Sequence, residues 1–221
     1  MIVAIDGPAG AGKSSVARAL ARRLGFRFLD TGAMYRAVTL AAVRCDLDWD
    51  DPAALAELAR QLRIELDEDR VLLDGEDVTQ QIRSLAITSA THYAANNPAV
   101  RAHLVQLQRQ AAGTDNVVTE GRDQGTVAFP HAGCKIFLTA SPAERARRRL
   151  HDLAAGDEQA TFDEILRKQE ERDRRDAARA VGPLVPAADA MHVDTDKLSA
   201  DEVVDRLEAL VRARMGMLND E

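Results

Sequence analysis

Apolar residues recur along this chain in two rhythms. Short apolar runs stop at turns: the β-branched Ile2 to Asp6, then Phe26 to Leu29, Val117 to Thr119, Lys135 to Thr139 and the weaker Met191 to Asp194. Each reads as a buried strand. Between them, apolar positions at helical spacing predict helices from Ser14 to Leu24, closed by Gly25 as C-cap, and from about Gly32 to Arg44. Asp51-Pro52 opens a third, to about Leu62, and Ser84 to Asn96 and Pro98 to Ala112 are two more, the second started by Asn97. Ser141/Glu144, Thr161/Glu164 and Ser199/Glu202 are spaced as capping boxes and open three late helices.

Strands that alternate with helices imply an α/β fold, a parallel five-stranded sheet covered by helices on both faces. The stretch from about Trp49 to Asn97 breaks the rhythm. It reads as helix, hairpin (Ile64 to Asp67 and Arg70 to Asp74 around an acidic turn) and helix, so an insertion is expected, packed against a single domain of 1–221.

Composition adds limits. Of 221 residues, 46% are hydrophobic, enough for a sizeable core, and the net charge of −7 argues against general nucleic-acid or membrane binding. No apolar run spans a bilayer, and Met1 to Asp6 does not begin a signal peptide, so a cytoplasmic protein is expected. Cys45 and Cys134 stand apart and are expected to be small buried apolar residues. Five scattered histidines suggest no zinc site.

Gly7-Pro8-Ala9-Gly10-Ala11-Gly12-Lys13-Ser14, followed by Ser15, matches the phosphate-loop pattern G-x-x-x-x-G-K-[ST] between a strand and a helix. Glycines let successive N–H groups turn inward on phosphate oxygens, and the helix adds its positive end. Lys13 is expected to reach the β- and γ-phosphates of ATP and the Ser14 hydroxyl to be a Mg²⁺ ligand. The chain is therefore expected to be a P-loop enzyme that moves a γ-phosphoryl group.

The acceptor is a matter of charge. A hydroxyl acceptor needs a positioned base, whereas a phosphate acceptor is already anionic and needs cations against repulsion. Arginines stand at three turns or helix ends: Thr31 to Arg36, Glu120 to Thr126, and Arg172 to Arg179. The last can also be read as solvated i,i+3 and i,i+4 pairs, and Arg122-Asp123 as a turn with a local salt bridge. Arg145, Arg147, Arg148 and Arg149 cannot share one helix face, so some must be solvated.

With these residues in view, the chain resembles the bacterial cytidylate kinases, within the nucleoside monophosphate kinase group. The resemblance is carried by IDGPAGAGKSS, LDTGAMYRA from Leu29, GEDVT from Gly75, EGRDQGTVAFP from Glu120, KIFLTAS from Lys135 and RDRRDAARAVGPLVPAADA from Arg172. It implies phosphorylation of CMP and dCMP by Mg-ATP in a monomer, with a helical lid over 148–169 and the insertion, 63–97, on the acceptor side.

It gives Lys13, Arg122, Arg148 and Arg179 catalytic places. Tyr35, Arg36, Arg122 and Arg179 match positions that hold the acceptor phosphate, Arg172 and Asp176 lie near its ribose, and Arg101 and Asp123 match the pair that reads the base. Thr31 falls in the same acceptor set. A carboxylate that takes the cytosine amine rejects a uracil carbonyl. Two positions depart from the family: His92 stands where serine is common, placed either to donate to the base or simply on the surface, and Glu120 replaces an aspartate. Two rivals stay open, a kinase of hydroxyl acceptors with Asp123 as base and a nucleotide-binding switch without turnover.

Overall fold

The computed structural model describes residues 1–67, 70–154 and 160–219. In chain order it runs β1 (Ile2–Asp6), α1 (Lys13–Leu24), β2 (Arg27–Asp30), α2 (Thr31–Arg44), α3 (Pro52–Gln61), β3 (Ile64–Asp67), β4 (Arg70–Leu73) and β5 (Glu76–Asp77). Then follow α4 (Leu85–Asn96), α5 (Pro98–Ala112), β6 (Val117–Gly121), a π-turn (Gln124–Ala128), β7 (Cys134–Thr139), α6 (Pro142–Ala154), α7 (Phe162–Ala177), β8 (Met191–Asp194) and α8 (Ala200–Asn219). The acidic turn of the expected hairpin and residues 155–159 of the expected lid lie outside the described residues.

The chain divides into two compact units. The first comprises Met1–Phe28 and Asp115–Glu221. It holds most of the expected parallel five-stranded sheet, in the order β2-β6-β1-β7-β8; the last two residues of β2, Leu29 and Asp30, count with the second unit. The central strand β1 pairs in parallel with β6 from Ile2↔Val117 to Asp6↔Gly121, and with β7 from Val3↔Cys134 to Asp6↔Phe137. Its core joins Val3, Ile5, Val118, Ile136 and Leu138 to Leu20 of α1 and Leu207 of α8. Each such buried aliphatic chain contributes about 1.5–3 kcal/mol. Burial on both sides explains why these strands read as unbroken apolar runs.

The second unit, Leu29–Thr114, is built mainly of helices with a small antiparallel sheet, β3-β4-β5. Met34, Val38, Leu55 and Leu104 form one apolar cluster, and Val71, Leu73, Val78 and Ile82 belong to another. Strand β5 was not expected. Asp74 and Gly75 both take left-handed φ, 52° and 87°, which makes the two-residue turn that folds β5 onto β4.

Helix ends follow the chain's own signals. Gly25, at φ 68°, closes α1, and Asp51 and Asn97 cap α3 and α5 ahead of their prolines. Thr161/Glu164 and Ser199/Glu202 close as full boxes. Ser141/Glu144 does not. Ser141 accepts the Glu144 N–H, but its own N–H donates to Asp196, and the Glu144 carboxylate turns to Arg147 and Arg148. Two arginines on the same helix outbid one backbone amide for that charge. Cys134 is buried as expected, but Cys45 is exposed, because it follows the last turn of α2 as its C-cap.

Candidate active site

In the first unit, three segments leave the carboxyl ends of neighbouring strands: the phosphate loop after β1, residues 122–128 after β6, and the segment after β7. That end of an open parallel sheet is where ligands bind. Gly7 must be glycine, since a Cβ there would lie 2.0 Å from the Leu138 carbonyl oxygen. Gly10 and Gly12, at φ 79° and 86°, complete the left-handed turns that Pro8, Ala9 and Ala11 connect.

Lys13 is 5% exposed and its Nζ donates to the Pro8 carbonyl at 2.8 Å. Burial and then the field of Arg122, with a lesser push from Arg172, bring its ammonium from 10.5 down to about 7, against opposing pulls from Glu120 and Asp6. A cation held at such cost is placed for an anion. The Ser14 hydroxyl donates to Glu120 at 2.7 Å, and both Ser14 and Ser15 are exposed.

Around Asp176 the arginines converge. Arg122 Nε donates to one carboxylate oxygen at 2.8 Å and Arg179 donates to the other. Burial would raise the Asp176 carboxyl, but Arg122 and Arg179, with Arg172 assisting, hold it below the usual carboxylate range. Arg122 thus pairs across 54 residues and not with Asp123, so the local salt-bridge turn is not what forms. Asp123 is 4% exposed and starts the π-turn. Three guanidiniums around one carboxylate leave a surplus of positive charge that suits a polyanion.

The basic run of α6 sorts by position, as its spacing required. Arg147 and Arg149 are exposed. Arg148 donates to Glu144 and to both the hydroxyl and the carbonyl of Thr195, at 3.1 and 2.6 Å for Thr195, and its guanidinium stands beside Gly12. Arg145 is buried, pairs with Asp173 at 2.7 Å and donates to the Ala9 carbonyl of the phosphate loop at 3.0 Å. Sequence reasoning missed that role, because one arginine among four gives no sign of which is inward.

The second unit carries the other expected residues. Thr31 is the buried first residue of α2, and Tyr35 and Arg36 follow one turn later. Arg36 pairs with Asp30 at 3.2 Å. Arg101, 3% exposed on α5, donates to the Ala95 carbonyl at 3.1 Å and lies 5.5 Å from the centre of the Tyr35 ring. His92 is placed differently. Its ring lies 4.1 Å from that of Tyr93, which stacks on Trp49 at 4.7 Å, and its Nδ1 is 2.7 Å from the Ser89 carbonyl. A carbonyl oxygen can only accept, so Nδ1 donates to Ser89 and Nε2 is the ring nitrogen left for another partner.

Comparison with known proteins gives the family. The family model described as cytidylate kinase matches residues 3–213. The chain is 50% identical to a cytidylate kinase of Rhodopirellula baltica, covering 96% of this chain and 93% of that one. It is 51% identical to a cytidylate kinase of Mycobacterium leprae, covering 98% and 97%. In fold alone it is similar to a gluconokinase from Sinorhizobium meliloti, at 17% identity and a TM-score of 0.50, covering 99% and 96%.

Proposed function

We propose that this chain, which belongs to the cytidylate kinase family, moves the γ-phosphoryl group of ATP onto the phosphate of CMP or dCMP, giving ADP and CDP or dCDP. The observation that carries the reading is the cluster of guanidiniums, Arg122, Arg172 and Arg179, around the Asp176 carboxylate, with the Lys13 ammonium in the field of Arg122 and Arg172. Two anions must meet for this reaction, and neutralising them is most of the work. The acceptor oxygen is already ionised at neutral pH, so no general base is required.

The phosphate loop, Gly7 to Ser15, holds the ATP phosphates. Lys13 follows the charge that spreads over the γ-phosphoryl group in flight, and Arg122 and Arg179 bind the acceptor phosphate with Tyr35 and Arg36. Arg172 and Asp176 take the ribose, and Arg101 and Asp123 the cytosine, with Thr31 beside them. His92, through Nε2, stands near the base in this reading.

The donor set of Ser14 and Glu120, a hydroxyl and a carboxylate 2.7 Å apart, is made of hard oxygens and fits Mg²⁺, which binds through few protein ligands plus phosphates. When bound, Mg²⁺ supplies charge neutralisation on the ATP phosphates. The region 148–169 is the lid in this reading, with Arg148 at its start, and closure excludes water as a rival acceptor. The insertion, 63–97, shapes the acceptor side of a protein that works as a single kinase domain of 1–221, a monomer in the cytoplasm, where both nucleotides occur. Among the described residues no helix is long and apolar enough to cross a membrane.

Asp123→Ala tests the assignment of the base. Turnover of CMP is expected to fall about 10²-fold or more, and the preference for CMP over UMP to collapse. Unchanged preference with a lowered rate would show that another group reads the base.

A further inference from the structure

Asp6 closes β1 and is 4% exposed, yet no role above uses it. One of its carboxylate oxygens accepts the Gln124 N–H and the other the Gly125 N–H, each at 2.8 Å. Those two amides open the π-turn, the place where a helix leaves its N–H groups to acceptors from outside. The turn itself is hung on Asp123, whose carbonyl accepts the N–H groups of Val127 at 2.8 Å and Ala128 at 3.1 Å. A carboxylate 118 residues away in sequence thus fixes the peptide units next to Asp123.

Other contacts narrow the freedom of this turn. The Thr119 hydroxyl donates to the Gln124 side chain at 2.9 Å, and a Cβ on Gly121 would meet that side chain at 2.8 Å. A Cβ on Gly125 would meet the stem of Lys135 at 3.2 Å and the Asp6 carboxylate at 3.5 Å. The arrangement demands a carboxylate. A carboxamide of the same shape accepts one of the two amides and turns its own N–H₂ toward the other. Keeping the charge there costs stability: burial, with the nearby charge of Asp123, pushes the Asp6 carboxyl up to about 6, although the two amides and Lys13 pull it down.

We propose that Asp6 is a positioning residue for base selection: by holding the Gln124 and Gly125 amides it sets the direction of the Asp123 carboxylate, and with it the preference for cytosine over uracil. The proposal rests on Asp123 as the base-reading group. It separates two jobs at the end of β1, where the same short segment begins the phosphate loop through Gly7 and anchors the acceptor-reading turn through Asp6.

The test is steady-state kinetics of Asp6→Asn with Mg-ATP and either CMP or UMP. The KM for CMP is expected to rise about tenfold and the CMP-to-UMP ratio of kcat/KM to fall by a similar factor, while the KM for ATP stays within about twofold. A purely structural role predicts otherwise. Equal loss of affinity for both nucleotides, or a lower kcat with the base preference intact, would overturn the proposal. Should Asp6→Asn fail to fold, Thr119→Val removes the other tether of the turn and is expected to act in the same direction, with a smaller effect; an unchanged ratio in that variant would count against the idea. Wild-type turnover of CMP, run alongside, tests the family reading separately. If CMP were not a substrate, hydrogen exchange at the Gln124 and Gly125 amides would still decide on Asp6. Exchange about tenfold faster in Asp6→Asn supports the tether, and unchanged exchange sinks it.

Discussion

At the scale of single residues, the site is built from charges that the fold would be more stable without. Lys13 is nearly enclosed, with its ammonium brought down to about 7, first by burial and then by Arg122 and Arg172. Lys13→Met is therefore expected to melt at a higher temperature than wild type at pH 6 without nucleotide, and to lose about 10²–10³-fold in turnover. A lower melting temperature would mean that Lys13 supports the loop more than it strains it. Asp6 gives a pH test. Its folded value of about 6 lies above the ordinary 3.8, so the fold binds that proton more tightly than the unfolded chain does. The cost of its charge is absent below pH 4, grows between pH 4 and 6, and reaches about 3 kcal/mol above that. Over that window the melting temperature of Asp6→Asn should gain on wild type as the pH rises, and a constant difference would contradict the shift. The lysine was legible in the sequence because its loop has a fixed pattern. The aspartate was not, since at the end of an apolar strand it reads as the place where a run stops.

At the scale of elements, start and stop signals placed the helices to within a residue or two. Strands were found where burial on both faces left continuous apolar runs, as in Ile2 to Ile5. What stayed hidden is competition among side chains. Glu144 has the spacing of a capping partner and pairs with arginines instead, and the π-turn after Asp123 depends on Asp6, far away in the chain. Asn97 shows a local signal with a distant consequence. Its Oδ1 caps α5 through Ala99 and Val100, and its Nδ2 donates to the Pro52 carbonyl at the start of α3. Asn97→Ala is expected to cost about 2 kcal/mol in denaturant titration, more than an exposed cap alone. A loss below about 0.5 kcal/mol would show that the tie to Pro52 is idle.

At the scale of the molecule, the expected acceptor residues fall in both compact units, Thr31, Tyr35, Arg36, His92 and Arg101 in one and Arg122, Asp123, Arg172, Asp176 and Arg179 in the other. Geometry within each unit brings Tyr35 to Arg101 and Arg122 to Asp176 and Arg179. Sequence spacing could suggest those arginines but could not pair them, because the partners lie up to 54 residues apart. The family, in turn, was legible from motifs spread over nearly the whole chain. The most direct measurement is ADP release by the purified protein with Mg-ATP and CMP, dCMP, UMP, AMP or shikimate in turn. Turnover with CMP and dCMP, weak turnover with UMP and none with AMP or shikimate is the predicted result. Silence with every nucleoside monophosphate, or a preference for shikimate, would contradict the account.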